Sequence, residues 1–157
     1  MQVAGGSKGR QPNPRVLFAK DIVETDFISL DGGVNALEAA KLMKARRHGF
    51  VIIATADDKP IGIVTEWDYV TKVIAEGRYP ANLTLREIMS PNLIGVDASW
   101  GIGQVARFMT EKGTRRVLVL RDGKVIGVIT ARTLLSTMKD YVDTISTQIA
   151  RTEGPFQ

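Results

Sequence analysis

Cysteine is absent from the 157 residues, so no disulfide can staple the fold and no thiolate can ligate a metal or attack a substrate. Histidine is nearly absent. His48 is the only one, beside Arg46 and Arg47, and a cation near the end of a helix is its simplest role. No Gly-x-Ser-x-Gly or Walker pattern occurs, and no nucleophile stands with a base. An enzyme is therefore not expected: no catalytic residue, no metal ligand and no required cofactor. No stretch approaches the roughly 18 apolar residues that span a bilayer, and Met1 to Pro14 holds no apolar run of the secretory kind. These absences predict a soluble, cytoplasmic chain with no membrane partner. Charge of one sign is not dominant either. Twenty-one basic against 17 acidic residues leave a net charge of +4, which permits nucleic acid without favouring it.

What is present is a globular composition, 44% hydrophobic and 24% charged, in a chain long enough for one compact domain or two small ones sharing a core. Residues 1–15 stand apart. Gly5, Gly6, Ser7, Gly9, Pro12 and Pro14 among Lys8, Arg10 and Arg15 predict a flexible basic tail.

The rest repeats itself. Asp21-Ile22-Val23 is echoed by Glu87-Ile88-Met89, and Phe27-Ile-Ser-Leu-Asp31 by Leu93-Ile-Gly-Val-Asp97. The offset is 66 (22 to 88, 31 to 97) and holds for Ala40/Ala106, Met43/Met109 and Val51/Val117. It falls to 65 at Gly62/Gly127 and Thr65/Thr130, so one residue is lost in a loop. Matches in register with a single indel predict a duplicated structural unit.

Each copy reads as strand, helix, strand, strand, helix. A short strand lies near Ile28 or Ile94. A helix follows over 35–47, opened by a capping-box pattern Asn35-x-x-Glu38, with Leu37, Ala40 and Met43 inward. Its echo covers 102–112 with Val105, Ala106 and Met109 inward, and Gly49 and Gly113 stand where the two helices should stop. Phe50–Ile53 and Val117–Leu120 are strands, joined by polar turns to Ile61–Val64 and Val125–Ile129. Thr65 and Thr130 then cap the last helices. Val70, Val73 and Ile74 are expected to line one, and Leu134, Leu135 and Met138 the other. Val142, Ile145 and Ile149 continue the second, before Gly154-Pro155. A strand that ends at a capping threonine aims N–H groups at one point, which suits an anion. A three-stranded sheet cannot stand alone. The expected fold is α/β (α+β), two pseudo-twofold-related β-α-β-β-α units packed sheet to sheet. The boundaries are 1–15 tail, 16–77 first unit, 78–83 linker, 84–142 second unit, and 143–157 helical extension and tail.

Gly62-Ile-Val-Thr-Glu-Trp-Asp68 and Gly127-Val-Ile-Thr130, with the Ala40…Met43 and Ala106…Met109 helices, resemble the cystathionine-β-synthase (CBS) domain, in its usual tandem pair. The resemblance covers about 19–141. It implies a regulatory module that binds an adenosyl ligand between the repeats and signals to a partner by changing shape. AMP is the foremost ligand, with ADP, ATP and S-adenosylmethionine as alternatives. It also implies a homodimer and a regulated protein that the sequence does not identify. A nucleic-acid binder using the basic tail and a ligand-free dimerisation scaffold are the alternative functions.

Carried onto this sequence, the resemblance places the ligand against Thr65, Asp68, Asn92, Leu93, Ile94, Arg115, Arg116, Val117 and Leu118. Asp68 would accept the ribose diol, Ile94 and Leu118 would enclose the adenine, and Arg116, with Arg115 second, would meet a phosphate as a planar fork. Trp67 would stack on the ligand or simply pack. Without any ligand, Thr65 and Asp68 would still form a helix cap with an acid in its first turn. A second site would use Thr25, Ile28, Phe50, Thr130, Arg132 and Thr133. Because Thr133 replaces the aspartate, that site is expected to be weak, empty or different.

Overall fold

The computed structural model describes residues 16–152, so the predicted basic tail and the end near Gly154-Pro155 lie outside the described residues. The duplication is realised as two three-stranded sheets. β1 (Ser29–Asp31), β2 (Phe50–Ala54) and β3 (Pro60–Thr65) form the first, and β4 (Gly95–Asp97), β5 (Arg116–Arg121) and β6 (Lys124–Thr130) the second. In each, the first pair is parallel and the second antiparallel. The register slips at Ile53/Ala54 in one and Val119/Leu120 in the other, which are equivalent positions. The lost residue falls in the hairpin. Five residues, 55–59, separate the paired Ala54 and Pro60, and four, 121–124, separate the equivalent pair Leu120 and Val125, where Arg121 also pairs with Lys124 and leaves a two-residue turn. That tight pair, Asp122 and Gly123, has φ of 51° and 76°, as a two-residue hairpin turn requires.

Alternation along the central strands sends side chains to two different cores. Val51 and Ile53 point to the helix side of the first sheet, where they join Ile28, Ala36, Ala39, Met43 and Val64. Val117 and Val119 do the same in the second, with Val96, Val105, Met109 and Ile129. Phe50, Ile52, Leu118 and Val128 point the other way and meet between the sheets, with Phe27, Ile63 and Leu93 around them. The sheets therefore face one another, as the size of each unit demanded.

Helix α2 (Ala36–Arg46) begins at Asn35, whose Oδ1 accepts from Leu37 N–H and Glu38 N–H at 3.0 and 3.3 Å. Only half of the expected capping box forms, because Glu38 pairs with Lys41 instead. The buried face is Ala36, Ala39 and Met43, with Leu37 and Ala40 only half buried. The helix stops at Arg47, not Gly49: Arg47 has φ 56° and its N–H bonds the last turn. Its counterpart closing α5 (Ile102–Lys112) is Gly113, φ 61°. There Val105 and Met109 are buried and Ala106 is half buried.

The last helices also differ from expectation. α3 (Glu66–Tyr69) is short and runs into a π turn, Val70–Ile74, in which Ala75 N–H bonds Val70 C=O at 2.9 Å. The wider turn rotates the face, so Val73 is buried while Val70 and Ile74 are exposed. α6 (Ala131–Thr152) buries Leu134 and exposes Leu135, Met138 and Val142.

Two further short helices, α1 (Ala19–Ile22) and α4 (Leu85–Ile88), open the repeats, and both are exchanged. α1 packs in the second unit's core through Ala19, and α4 in the first unit's core through Leu85 and Ile88. Each is followed by an isolated antiparallel bridge to the other unit's third strand, Glu24 to Val128 and Ser90 to Ile63.

Candidate functional site

The sheets diverge at a cleft lined by Ile63, Thr65, Asn92, Leu93, Ile94, Thr114, Arg116, Val117 and Leu118. Seven of these were named from the sequence. Strand β3 supplies Ile63 and Thr65. The segment after Ser90 supplies Asn92 to Ile94, and the start of β5 with its preceding turn supplies the rest. Ile63 and Thr114 were missed. Ile63 is recoverable from alternation, as it lies two residues before Thr65 on the same strand face. Thr114 carries no sequence signal; its Oγ1 donates to Arg116 C=O at 2.8 Å and accepts from Arg116 N–H at 3.3 Å, shaping the turn that presents Arg116. Val117 turns its side chain into the second core. Arg115 is exposed outside the cleft lining, and its C=O accepts the Ala131 N–H at 2.8 Å. Trp67 is exposed on α3.

Arg116 is the charged side chain of the cleft. Its guanidinium lies over the Phe50 ring, 5.1 Å from the centroid, a cation–π contact across the sheets. Its Nε is buried with no hydrogen-bond partner among the described residues. Burial first, then Arg115, lowers its pKa below the ordinary arginine value, and the charges of Glu66 and Asp68 oppose this. A buried guanidinium nitrogen without a partner is costly.

Asp68 lies just behind Thr65 and does not line the cleft. Its carboxylate is saturated. Oδ2 accepts from Thr65 N–H at 2.7 Å and Thr65 Oγ1 at 2.8 Å, and Thr65 Oγ1 accepts the Asp68 N–H in return. Oδ1 accepts from Ser90 Oγ at 2.9 Å and faces Lys72 Nζ at 2.7 Å. Burial alone would raise this carboxyl. The Lys72, Thr65 and Ser90 contacts outweigh it and hold the group below the usual aspartate value. Lys72 also donates to Ile88 C=O at 2.9 Å and Ser90 Oγ at 3.0 Å.

The second copy inverts this arrangement. Thr133 stands in place of Asp68, and Thr130 Oγ1 lies 3.0 Å from Thr133 Oγ1. Glu24, the counterpart of Ser90, brings the acid from the other side, accepting from Thr130 Oγ1 at 3.3 Å. Phe50 is the counterpart of Arg116 and carries no charge. Ile28 is buried in the first unit's helix-side core, and Thr25 and Arg132 are exposed. Of the residues named for a second site, Thr130 and Thr133 meet through their hydroxyls and Phe50 lies between the sheets. His48 Nε2 is buried and lies 3.3 Å from Asp26, which also pairs with Arg46. Among the described residues no cluster could hold a metal ion, and no helix is long and apolar enough to cross a membrane.

The family model described as the CBS domain matches residues 19–75 and 85–140. An uncharacterized protein of Methanopyrus kandleri is 33% identical over 138 residues, 87% of this chain and 70% of that one. Among solved structures, the hexameric CBS-CP12 protein from bloom-forming cyanobacteria superposes with a TM-score of 0.68 at 31% identity, covering 76% of this chain and 70% of that one. A CBS domain pair solved with 5′-methylthioadenosine and S-adenosyl-L-methionine gives 0.70 at 25% identity, covering 80% of this chain and 98% of the other.

Proposed function

This chain belongs to the CBS-domain family as a tandem pair, and on that premise we propose that it is a regulatory module that binds an adenosyl ligand in the cleft between its sheets. Arg116 carries the proposal: a guanidinium whose Nε is buried without a partner, set beside the apolar Leu93, Ile94 and Leu118. Apolar walls with one unsatisfied planar cation suit a base linked to an oxyanion. A solved pair at 25% identity holds adenosyl ligands, which supports the class. A phosphate-bearing member, AMP foremost, suits Arg116 better than a sulfonium would. Thr65 and Asn92 would meet ribose or phosphate oxygens, Ile94 and Leu118 the adenine, and Asp68 the ribose. We further propose that the module pairs with a second copy through the exposed Leu135, Met138 and Val142 of α6 and passes its change of shape to a regulated protein.

The test is calorimetric titration of AMP, adenosine and S-adenosylmethionine into the wild type and Arg116→Met. AMP is expected to bind at about one per chain, and the substitution to weaken it about tenfold or more, the worth of one charge-assisted contact. Adenosine should be little affected. Failure of all three to bind would overturn the proposal. Light scattering tests the dimer, and a monomer at micromolar concentration would remove that part.

A further inference from the structure

A ribose diol needs acceptor positions on Asp68, and all of them are occupied. A carboxylate offers about four lone-pair sites, and Asp68 meets four donors: the N–H and hydroxyl of Thr65 on Oδ2, and Ser90 Oγ and Lys72 Nζ on Oδ1. The two oxygens are not equally free to change partners. The Oδ2 contacts form the capping box that closes the turn at Thr65, so losing them weakens the strand-to-helix junction. The Oδ1 contacts come from side chains that have alternatives. Lys72 keeps Ile88 C=O and Ser90 Oγ, and the Ser90 hydroxyl can rotate.

Ser90 is also the hinge of the exchanged segment. Its N–H and C=O pair with Ile63 C=O and N–H at 2.8 and 3.0 Å, and two residues later the chain becomes the cleft wall at Asn92 to Ile94. We infer that Ser90 occupies the place of a ribose hydroxyl on Asp68 Oδ1, so that ligand diol and exchanged segment compete for one oxygen. Ser90 is then a specificity-determining residue. It sets the affinity for the diol, and its release on binding loosens the segment that carries α4 and the cleft wall. This inference rests on the adenosyl reading above.

The experiment compares AMP with 2′,3′-dideoxy-AMP, which lacks the diol, in the wild type, Ser90→Ala and Ser90→Thr. With the competing hydroxyl removed, Ser90→Ala should bind AMP roughly threefold to tenfold more tightly, the net worth of one hydrogen bond. Its affinity for 2′,3′-dideoxy-AMP should not change, and Ser90→Thr should return to the wild-type value for AMP. A merely structural role would move both ligands together. Unchanged or weaker AMP binding in Ser90→Ala, or equal tightening of both ligands, overturns the competition while leaving the adenosyl reading intact. If no form of the protein binds either ligand, the adenosyl reading falls and the competition with it.

Discussion

Two equivalent glycines hold the exchanged segments, and replacing each by alanine should have unequal effects. A Cβ on Gly127 would collide with the Glu24 carbonyl oxygen, lie 2.5 Å from Val23 Cγ2 and 3.0 Å from the Glu24 carbonyl carbon. The obstacle is largely backbone and cannot rotate aside. A Cβ on Gly62 would meet Met89 Sδ at 2.6 Å, the end of a flexible side chain, and Ser90 O at 3.2 Å. Gly127→Ala must push away the strand that donates Glu24 N–H to Val128 C=O and accepts in return, at 2.9 and 3.0 Å. Those two bonds contribute about 1–3 kcal/mol together, and the forced repacking around Val23 costs about 1–3 more. A loss of about 2–5 kcal/mol at this chain length lowers Tm by roughly 5–15 °C. Gly62→Ala asks Met89 to turn and Ser90 to move by tenths of an ångström, about 1 kcal/mol and a few degrees. The reduced entropy of the unfolded chain is common to both and cancels in the comparison. Thermal unfolding followed by far-UV circular dichroism measures both. If Gly127→Ala melts at or above Gly62→Ala, the close approach of Glu24 does not hold the exchanged segment and the reasoning is refuted.

Asp68→Asn should destabilise the protein by about 2 kcal/mol near pH 7, because charged hydrogen bonds and the Lys72 pair are lost from a buried site. The folded pKa of Asp68 lies below its unfolded value, so its contribution is present above about pH 4 and is lost as pH falls through the folded pKa. Urea midpoints of wild type and variant should therefore differ above pH 5 and converge in acid; a constant gap across pH 3–7 would contradict this. Arg47→Gly should raise stability by about 0.5–1 kcal/mol, since Arg47 closes α2 with φ 56° where its counterpart is glycine. A fall in Tm on that substitution would show that the Arg47 side chain contributes more than its backbone costs.

The fold was legible because its signals are local and doubled. Alternation at Phe50–Ile53 and Val117–Leu120, the Asp122-Gly123 turn and the two threonine junctions each act within a few residues, and each occurs twice. The cleft was largely legible too, since Leu93, Ile94 and Leu118 are placed by their own strands. Errors arose where a neighbour overrides a local rule. Gly49 looked like a helix stop, but the chain turned left-handed two residues earlier at Arg47. Val70 and Ile74 looked inward by spacing, but the π turn rotated them out.

The sequence by itself determined two sheets, their strand order within each copy, and the need for each sheet to cover the other, because hydrophobic period and turn chemistry are properties of short stretches. Only the tertiary structure decided that α1 and α4 are traded between units, that Arg116 crosses to the Phe50 ring with its Nε unpartnered, and that Asp68 is filled by Ser90 and Lys72. Ser90 lies 22 residues from Asp68 and Arg116 lies 66 from Phe50. No period or cap encodes a meeting across such distances; it follows from how two packed sheets bring separate segments to one place.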